Sequence, residues 1–409
     1  MRLTYLTNHV SPYRVSTLAA LSRLTDGMNL LLTGSESAPE LEREPIRIVK
    51  VPSLQIARVR HHPAGYDEKF ELHVPLGTLG ALLREESCNV FSVELGLRTA
   101  FAALWRKFGR NRRLIVHADL SEATERGRGY ARLLLRRLLL RHVDRVLVNG
   151  ASGARYLQTL GCPPDRIGRL PYASDIAHFQ WIPDLPAHAD NEGPLRLLYV
   201  GRLVEVKGLV PFLDRLANAL RARPRQRVSL TLVGDGDLAA AIDAVDCPAN
   251  LTVQRIGAIP YEQVPDHYAR ADVVVMPSLG DTWGLCVNEA MASGRPVLGS
   301  VGAQAVDELV IDGVTGWRFD MQAPLTLDNA IARMLASTPA ERAALGRNAR
   351  RTAADFSPER IAVRIIDAFQ HTRGLPPISE AIPPATEPAV SVAGPRRAAR
   401  LSGSARPPT

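Results

Sequence analysis

The sequence predicts an α/β protein of two domains, each built on a doubly wound parallel sheet. Short apolar runs rich in Val, Ile and Leu alternate with segments of helical period, which is typical of parallel sheets covered by helices on both faces. The alternation stops once and then resumes. A chain of 409 residues with 46% hydrophobic content is also long enough for two cores, at roughly 150 residues per domain. We therefore expect two domains that face each other across a cleft.

The first domain is predicted over residues 1–176. Its apolar runs predict strands at 3–7, 29–33, 46–51, 90–93, 114–118 and 145–150. A helix is predicted directly after the first strand, because Ser11 suits an N-cap and Pro12 suits the first helical position.

Residues 177–194 contain Pro and Asp without a clear period, which is typical of an interdomain linker. The second domain is predicted over 195–356, with strands at 196–201, 228–234, 251–257, 272–278 and 295–300. A last helix, at 357–373, begins with Ser357 as N-cap and Pro358 at the first position. Residues 374–409 hold eight prolines and no aromatic residue, and we predict that this tail is disordered.

Composition narrows the class of protein. A formal net charge of +8 and a pI near 9.6 indicate anionic partners: nucleotide phosphates, a lipid surface or nucleic acid. Nucleic acid is not expected, since aromatic residues make up only 5% and no RNP, KH or zinc-finger spacing is present. The cysteines form no C-x-x-C pair, so neither a zinc site nor a disulfide framework is indicated: Cys88, Cys162, Cys247 and Cys286.

The chain has no obvious membrane-spanning or export segment. No apolar run approaches the ~18 residues of a membrane span, and the N-terminus lacks the apolar core of a signal peptide. We therefore expect a cytoplasmic protein, soluble or peripheral on the inner face of the plasma membrane.

The segment PSLGDTWGLCVNEAMASGRPVLGS, at 277–300, is the richest in potential chemistry. A strand leads into a polar loop, and a helix predicted from Gly284 would point the amides near Trp283 and Leu285 back at that loop. A helix N-terminus suits a diphosphate, and Asp281 and Glu289 could bind hydroxyl groups. The alternative interpretation is that Asp281 caps the helix and Glu289 is an ordinary solvated acid.

A second segment, VGRLVEVKGL at 200–209, ends a strand at Gly201 and then presents Arg202 and Lys207. Two cations at the carboxyl end of a strand can neutralise a leaving diphosphate, although taken alone they could be a surface pair. Because both segments follow strands of the same predicted sheet, we expect them at the same edge.

These segments together resemble glycosyltransferase family four, the large retaining family with the B architecture of two Rossmann-like domains. The resemblance rests on G-R-L-V-E-V-K-G at 201–208, V-G-D-G at 233–236 and D-x-W-G-L-x-V-x-E-A-M-A-x-G-x-P-V at 281–297. It covers about residues 1–372 and is looser in the first half, where SPYR at 11–14 and L-x-x-L-G-C-P-P-D-R-I at 157–167 carry it.

The resemblance implies roles for individual residues. Arg202 and Lys207 would hold the donor diphosphate, Glu289 would bind the ribose hydroxyls, and the base would lie near the backbone from Gly257 to Pro260.

On the reacting side, the resemblance places Asp281 near the donor sugar, where the family usually has the longer glutamate. It places His117, in LIVHADLSE, near the reacting centre. A lone histidine beside a strand is also a common structural residue.

Two short patterns compete with this interpretation. Residues 234–239 satisfy G-x-G-x-x-A after a strand, as in a dinucleotide-binding site, but the next strand ends in Gln and Arg rather than an acid. Asp235 and Asp237 resemble a metal-binding acid pair of another glycosyltransferase architecture, which would not repeat a sheet-and-helix domain. We expect no metal and no cofactor other than the nucleotide-sugar co-substrate.

Two basic features belong to the first domain. Arg14 is predicted near the cleft, either as an acceptor or phosphate contact or as an ordinary first-turn arginine. The segment 126–145 combines leucines with arginines and predicts a basic amphipathic helix. This helix either rests on anionic lipid or packs on the core with a solvated basic face, whose arginines are Arg126, Arg128, Arg132, Arg136, Arg137 and Arg141.

We therefore expect a retaining, metal-independent hexosyltransferase that uses a UDP- or GDP-sugar donor and a saccharide or lipid-linked saccharide acceptor in surface polysaccharide or glycolipid biosynthesis. Three alternatives remain at this point: a nucleotide-sugar epimerase, an NAD-dependent oxidoreductase and a non-catalytic protein that binds a nucleotide sugar.

Overall fold

The computed structural model describes residues 1–34, 39–62, 66–173, 175–187 and 193–372. The tail predicted at 374–409 lies outside the described residues. Two parallel sheets with flanking helices confirm the predicted α/β architecture of two doubly wound domains.

Seven strands of the described first domain form one parallel sheet in the order β3-β2-β1-β6-β7-β8-β9. Its buried strands are rich in Val, Ile and Leu, as expected for a sheet covered on both faces. In chain order, the strands of this domain, including the separate pair β4 and β5, are β1 (Leu3–Thr7), β2 (Met28–Leu32), β3 (Ile46–Lys50), β4 (Leu54–His62), β5 (Tyr66–Val74), β6 (Asn89–Val93), β7 (Arg113–Ala118), β8 (Arg145–Val148) and β9 (Ile167–Arg169).

The strands β4 and β5 pair with each other as an antiparallel ribbon outside this sheet, which the sequence analysis did not predict. The helices up to the domain junction are α1 (Pro12–Arg23), α2 (Thr78–Arg84), α3 (Leu97–Lys107), α4 (Glu122–Glu125), α5 (Tyr130–Leu140), α6 (Ala151–Thr159) and α7 (Ala177–Gln180). Ser11 and Pro12 begin α1 as predicted, although the Ser11 side chain does not cap the helix.

The second sheet is parallel in the order β12-β11-β10-β13-β14-β15. The strands up to β12 are added on one side of β10 and the strands from β13 onward on its other side, so the strand order reverses between β10 and β13. Its strands are β10 (Leu195–Val200), β11 (Val228–Val233), β12 (Leu251–Gly257), β13 (Val273–Met276), β14 (Val297–Ser300) and β15 (Gly316–Phe319). Its helices are α8 (Leu209–Arg221), α9 (Ala239–Asp243), α10 (Val264–Arg270), α11 (Leu285–Ala292), α12 (Gln304–Leu309), α13 (Pro324–Ala336) and α14 (Pro339–Ala353).

The last helix, α15 (Pro358–Gln370), returns to the first domain. The Ser357 hydroxyl accepts a hydrogen bond from the Arg360 amide, so the predicted N-cap is present. Ile361, Ile365 and Phe369 are buried in the core that contains β1. This helix therefore ties the end of the second domain to the first sheet.

The described residues of the predicted linker, 177–187 and 193–194, are more ordered than their composition indicated. They include α7, and the side chains of Phe179 and Ile182 are buried in the core of the second domain beside Tyr268. Phe179 and Ile182 are three residues apart and lie on one side of a single turn, a spacing too short to show as a periodic pattern.

The predicted basic face at 126–145 is solvated only in part: Arg137 and Arg141 are exposed, but other arginines turn towards Glu125. Arg136 is buried in an ion pair with the carboxylate of Glu125, and the side chains of Arg128 and Arg132 lie 3.4 Å and 3.9 Å from the same carboxylate. The leucines of the outer face are exposed instead, because Glu125 on α4 attracts these arginines inward. The exposed face of α5 and its ends is therefore mixed, with apolar and basic side chains: Arg126, Tyr130, Leu134, Arg137, Leu138 and Arg141.

Candidate nucleotide-sugar site

The strand-end loops of the second domain meet where the order of the sheet reverses. Gly201, Arg202 and Lys207 follow β10, and Asp281 follows its neighbour β13. In doubly wound sheets, ligands bind in the crevice beyond the carboxyl ends of such a strand pair. The structure thus brings the two sequence segments to one edge, and at the position in the sheet that is best suited to a ligand.

Lys207 and Asp281 form an ion pair, although 74 residues separate them in the chain. Both side chains are mostly buried, at 15% and 18% exposure. Burial acts to raise the pKa of Asp281, but the Lys207 ammonium outweighs it, with a further contribution from Arg202, and holds the pKa below its usual value. Arg202 is exposed. Two cations and one carboxylate therefore share this crevice.

The helix α11 begins at Leu285, and its N-cap residue Gly284 has a φ of 103°. A Cβ at this position would lie 2.7 Å from the Met276 side chain, so both backbone conformation and space favour glycine. The backbone N–H of Trp283 donates to the Asp281 carboxylate at 3.2 Å. Asp281 thus holds the loop before α11 in place and is the partner of Lys207, but it does not cap α11, whose N-cap Gly284 has no side-chain partner.

The amides near Trp283 and Leu285 are predicted from the sequence to face a diphosphate, and the contact with Asp281 removes the Trp283 amide from this set. The Trp283 amide is already bonded to Asp281, and the Trp283 ring is buried, with its Nε1 donating to Asn288 Oδ1 at 2.7 Å. The amides of Gly284 and Leu285 belong to the first turn of α11, where N–H groups have no partner within the helix. They are the better candidates for an anion.

Glu289 lies in the last half of α11 and is only 7% exposed, so it is not a solvated acid. The Tyr268 hydroxyl donates to its Oε2 at 2.8 Å. Burial raises the pKa of Glu289, against the hydrogen bonds from Tyr268 and Tyr261. Tyr261 itself stacks on His178, with ring centroids 5.0 Å apart. Glu289 is therefore a carboxyl group held in one orientation by aromatic hydroxyls.

Gly257 ends β12 with a φ of 87° and accepts a hydrogen bond from the Gly234 amide at 2.8 Å. Its chain continues into the turn that contains Tyr261, so the predicted base-contacting backbone and Glu289 lie on connected surfaces.

The glycines of the dinucleotide-like pattern have a packing explanation. A Cβ at Gly234 would lie 2.0 Å from the Gly201 carbonyl oxygen, and one at Gly236 would lie 2.3 Å from that of Leu203. The helix that follows, α9, has only five residues. These glycines therefore let the loops after β10 and β11 pack backbone to backbone.

His117 ends β7 in the first domain and is buried. Its Nε2 lies 2.8 Å from Asn149 Oδ1 and 3.1 Å from the Leu170 carbonyl oxygen, so two acceptors assign the proton to Nε2. Nδ1 lies 3.5 Å from Asp119 Oδ1. Burial lowers the pKa of His117, Arg14 adds to this effect and Asp119 opposes it, which favours a neutral imidazole at pH 7.

Arg14, whose side chain is mostly buried, supports this histidine from α1. It donates to Asp119 at 2.7 Å and to the Tyr172 hydroxyl at 2.8 Å. The ring of Tyr172 contacts His117 on one side and Trp283 of the second domain on the other, with centroids 5.7 Å and 6.4 Å away. The two halves of the predicted site therefore meet through Tyr172.

Sequence reasoning missed several members of this site. Asp119, Asn149, Tyr172, Tyr261 and Tyr268 were not proposed, although each contacts a proposed residue. Asp119 could have been found, because it lies two residues after His117 on an extended segment. The others come from distant strands and helices. Within the described residues, no group of three or more His, Cys, Asp or Glu could hold a metal ion.

Comparisons with known proteins agree with this geometry. A family model described as glycosyl transferases group 1 matches residues 194–337, and one described as glycosyl transferase 4-like domain matches residues 10–173. Together they cover about three quarters of the chain.

Curated relatives include the amylovoran biosynthesis glycosyltransferase AmsK of Erwinia amylovora, 29% identical over 56% of this chain and 57% of that protein. A D-inositol 3-phosphate glycosyltransferase of Geodermatophilus obscurus is 30% identical over 58% of this chain and 55% of that protein. The chain thus spans about half the length of the curated relatives it matches.

Among solved structures, Anabaena HepE in complex with UDP has a TM-score of 0.68 at 18% identity, covering 90% of this chain and all of that one. Sucrose-phosphate synthase from Thermosynechococcus elongatus has a TM-score of 0.66 at 20% identity, covering 91% and 98%. At these identities the likeness shows the fold alone.

Proposed function

Because the chain belongs to the group 1 glycosyltransferases with a 4-like first domain, we propose that it transfers a hexose from a nucleotide diphosphate sugar to a saccharide or lipid-linked saccharide. The observation that carries the proposal is the meeting of Arg202, Lys207 and Asp281 at the strand-order reversal of the second sheet. This crevice offers positive charge for a diphosphate next to a carboxylate for a sugar.

The donor is a UDP- or GDP-sugar in this proposal. The first-turn amides of Gly284 and Leu285, together with Arg202 and Lys207, supply donors for diphosphate oxygens. Glu289 offers a buried carboxyl group to the ribose hydroxyls. The solved complexes of the similar fold, HepE with UDP and with UDP-glucose, support UDP as the first nucleotide to test.

Breaking the sugar–phosphate bond places negative charge on the departing diphosphate and positive charge on the sugar ring. Arg202 and Lys207 stabilise the first charge, so this chain's own cations do the work that a metal ion does elsewhere. Asp281 lies beside Lys207 and so can contact both the ammonium and a sugar hydroxyl. We propose that the acceptor attacks from the face that the diphosphate leaves, so that the anomeric configuration is retained.

The first domain supplies the other wall of the reaction site. His117 presents a neutral imidazole whose Nε2 proton is held by Asn149 and Leu170, which leaves Nδ1 as an acceptor next to Asp119. We assign His117 to a hydroxyl of the sugar at the reacting centre. Asn149 and the Leu170 carbonyl hold the imidazole in place through Nε2, and Arg14 holds the Asp119 carboxylate beside it.

The acceptor is proposed to be saccharide-like, in surface polysaccharide or glycolipid biosynthesis. The relatives are named for different products, amylovoran and D-inositol 3-phosphate glycosides, so the shared second domain does not set the acceptor.

A transfer assay tests the function. Proton NMR would follow UDP-glucose, UDP-galactose and GDP-mannose in EDTA with a panel of saccharide and lipid-linked acceptors. We expect glycosylated product from one donor, with the donor's anomeric configuration, and a loss of about 100-fold or more in Lys207→Ala. Donor turnover to an isomeric nucleotide sugar without an acceptor would indicate an epimerase instead. Binding of NADH with no nucleotide-sugar turnover would indicate an oxidoreductase, and binding without any turnover would indicate a non-catalytic protein.

Contact with an anionic membrane is the further part of the proposal. No helix among the described residues is long and apolar enough to span a bilayer. On α5, Tyr130, Leu134 and Leu138 are exposed at 74%, 55% and 51%, one helical turn apart, beside the exposed Arg137 and Arg141. Apolar side chains flanked by cations suit the interface of anionic lipid, where each basic residue contributes about 1 kcal/mol.

Vesicle sedimentation tests this contact. We expect binding to vesicles that contain phosphatidylglycerol and little binding to phosphatidylcholine alone. Leu134→Ser with Leu138→Ser should weaken binding to the anionic vesicles, whereas Leu325→Ser, at an exposed leucine of the second domain, should not. Equal binding by all three proteins would contradict the assignment of this face.

A further inference from the structure

The first helix turn of α6, in the first domain, has no cap from its own flanking residues. Its N-cap is Gly150, which has no side chain to accept a hydrogen bond. The amides are instead satisfied by the second domain: Ala151 donates to Glu308 Oε1 at 2.5 Å, and Gly153 donates to Gln304 Oε1 at 3.2 Å. Both acceptors belong to α12. A helix of one domain is therefore capped by side chains of the other.

The contact is well enclosed. The Glu308 side chain is only 6% exposed, and its second oxygen lies 3.1 Å from Arg169 of the first domain. Gln304 also spans the interface through its amide nitrogen, which donates to the Leu120 carbonyl at 2.9 Å and to the Thr282 carbonyl at 2.7 Å. The carboxylate of Glu308 and the amide of Gln304 are buried, and their partners Ala151, Gly153, Arg169 and Leu120 lie in the first domain, so these contacts form only when the domains are together.

The same helix α12 is bonded to the loop that contains Asp281. Asp281 donates through its amide to Gly302, and Ala305 donates to the Trp283 carbonyl, both at 2.9 Å. The Thr282 carbonyl accepts from Gln304 and also from Asn149, whose Oδ1 in turn contacts His117. The loop on the donor side and the histidine on the acceptor side are thus joined through Asn149 and α12.

We infer that Gln304, Glu308 and Asn149 are positioning residues. Gln304 and Glu308 cap α6 across the domain interface, Asn149 joins the Thr282 carbonyl to His117, and together they set the Asp281–Trp283 loop against His117 for transfer. The geometry of this contact stands on its own, whereas its effect on turnover rests on the proposed function.

A substitution at Gly150 disturbs the contact between Glu308 and α6 selectively. Its φ is −158°, which alanine adopts readily, but an added Cβ would lie 2.8 Å from Glu308 Cγ and Oε1. Gly150→Ala is therefore harmful only when Glu308 is in place against α6. Removing the Glu308 side chain removes that conflict together with the cap.

The test measures the distance between spin labels on Cys88 and Cys247, which lie in different domains, while Cys162 and Cys286 are buried. Loss of a helix cap is expected to shift the closed-to-open ratio about 2- to 30-fold. We expect Gly150→Ala and Glu308→Ala to broaden the distance distribution, and the double variant to be no worse than Glu308→Ala alone. The control Gly80→Ala, where an added Cβ meets nothing within 4 Å, should match the wild type.

Measurements of kcat and of UDP affinity distinguish a change in the relative position of the domains from a loss of folding or of donor binding. The isosteric Asn149→Asp, which cannot donate to Thr282, and Glu308→Ala should lower kcat at least fivefold while UDP affinity stays within twofold of the wild type. Strictly additive effects of Gly150→Ala and Glu308→Ala, or an unchanged distance in both, would overturn the inference. Absence of both UDP and GDP binding in the wild type would instead overturn the proposed function and leave the distance result interpretable.

Discussion

Glu289→Gln separates the role of Glu289 in donor binding from its role in stability. The substitution keeps the side-chain volume and an oxygen that can accept from the Tyr268 hydroxyl, so the only large change is the loss of the carboxylate charge. A hydrogen bond to a charged group contributes about 1.5–3 kcal/mol, which corresponds to about 10- to 150-fold in affinity. We expect calorimetry to show a loss of UDP affinity within this range.

The same variant should lose UDP affinity but gain stability at neutral and alkaline pH. Burial raises the pKa of Glu289 in the folded protein above the 4.5 of an unperturbed glutamate. Below pH 4.5 the carboxyl is protonated in both the folded and the unfolded state, so folding does not have to bury a charge there. As the pH rises from 4.5 through the folded pKa, the unfolded state loses its proton first, so the wild type loses stability relative to Glu289→Gln. The variant should therefore have the higher Tm at pH 8, and the difference should vanish near pH 4.

A matched control is Glu262→Gln, an exposed acid in the turn that contains Tyr261. It should leave UDP affinity unchanged. If Glu289→Gln bound UDP as tightly as the wild type, the assignment of Glu289 to the ribose would be refuted. If its Tm fell at pH 8, the carboxylate would instead be a stabilising structural group.

Three other predictions concern the charges of the site and the last helix. Lys207→Ala should lower kcat about 100-fold or more in a transfer assay, and Lys207→Arg should recover only part of it, since the contact with Asp281 is fitted to a single ammonium. Because burial lowers the pKa of His117 below 6.5, the acid limb of the kcat profile that depends on His117 should lie below pH 6.5, and His117→Asn should abolish that limb; a limb above pH 7 would contradict a neutral imidazole. Ser357→Ala should cost about 1 kcal/mol of unfolding free energy in urea, since the hydroxyl caps the Arg360 amide, and Ser357→Asp should restore it.

Most of the fold was accessible from the sequence because parallel strands are buried on both faces and appear as short apolar runs. The strands that begin at Leu3, Val228 and Leu251 match the predicted starts. The ribbon β4–β5 was missed because the strand prediction followed continuous apolar runs; the mixed polar and apolar residues on either side of Pro63-Ala64-Gly65 are a hairpin signal that it did not use. The face of α5 was misjudged because the period of arginines does not reveal Glu125, the buried partner that attracts them.

The site was partly accessible for a similar reason. Residues at the carboxyl ends of neighbouring strands must lie at one edge, so Lys207 and Asp281 could be placed together from the order of strands. Tyr268 and Asn149 could not, since their contacts depend on how helices pack and on how the two domains face each other. Nothing in the sequence near α6 indicates a cap that comes from α12.

The most direct test of the account is calorimetry of UDP and GDP binding in the presence of EDTA, on the wild type, Lys207→Ala and the control Lys50→Ala, an exposed lysine of the first domain. The account predicts micromolar binding of one nucleotide by the wild type and the control, and a loss of about 10-fold or more in Lys207→Ala. Binding of neither nucleotide without a metal ion, or equal binding by Lys207→Ala, would contradict it.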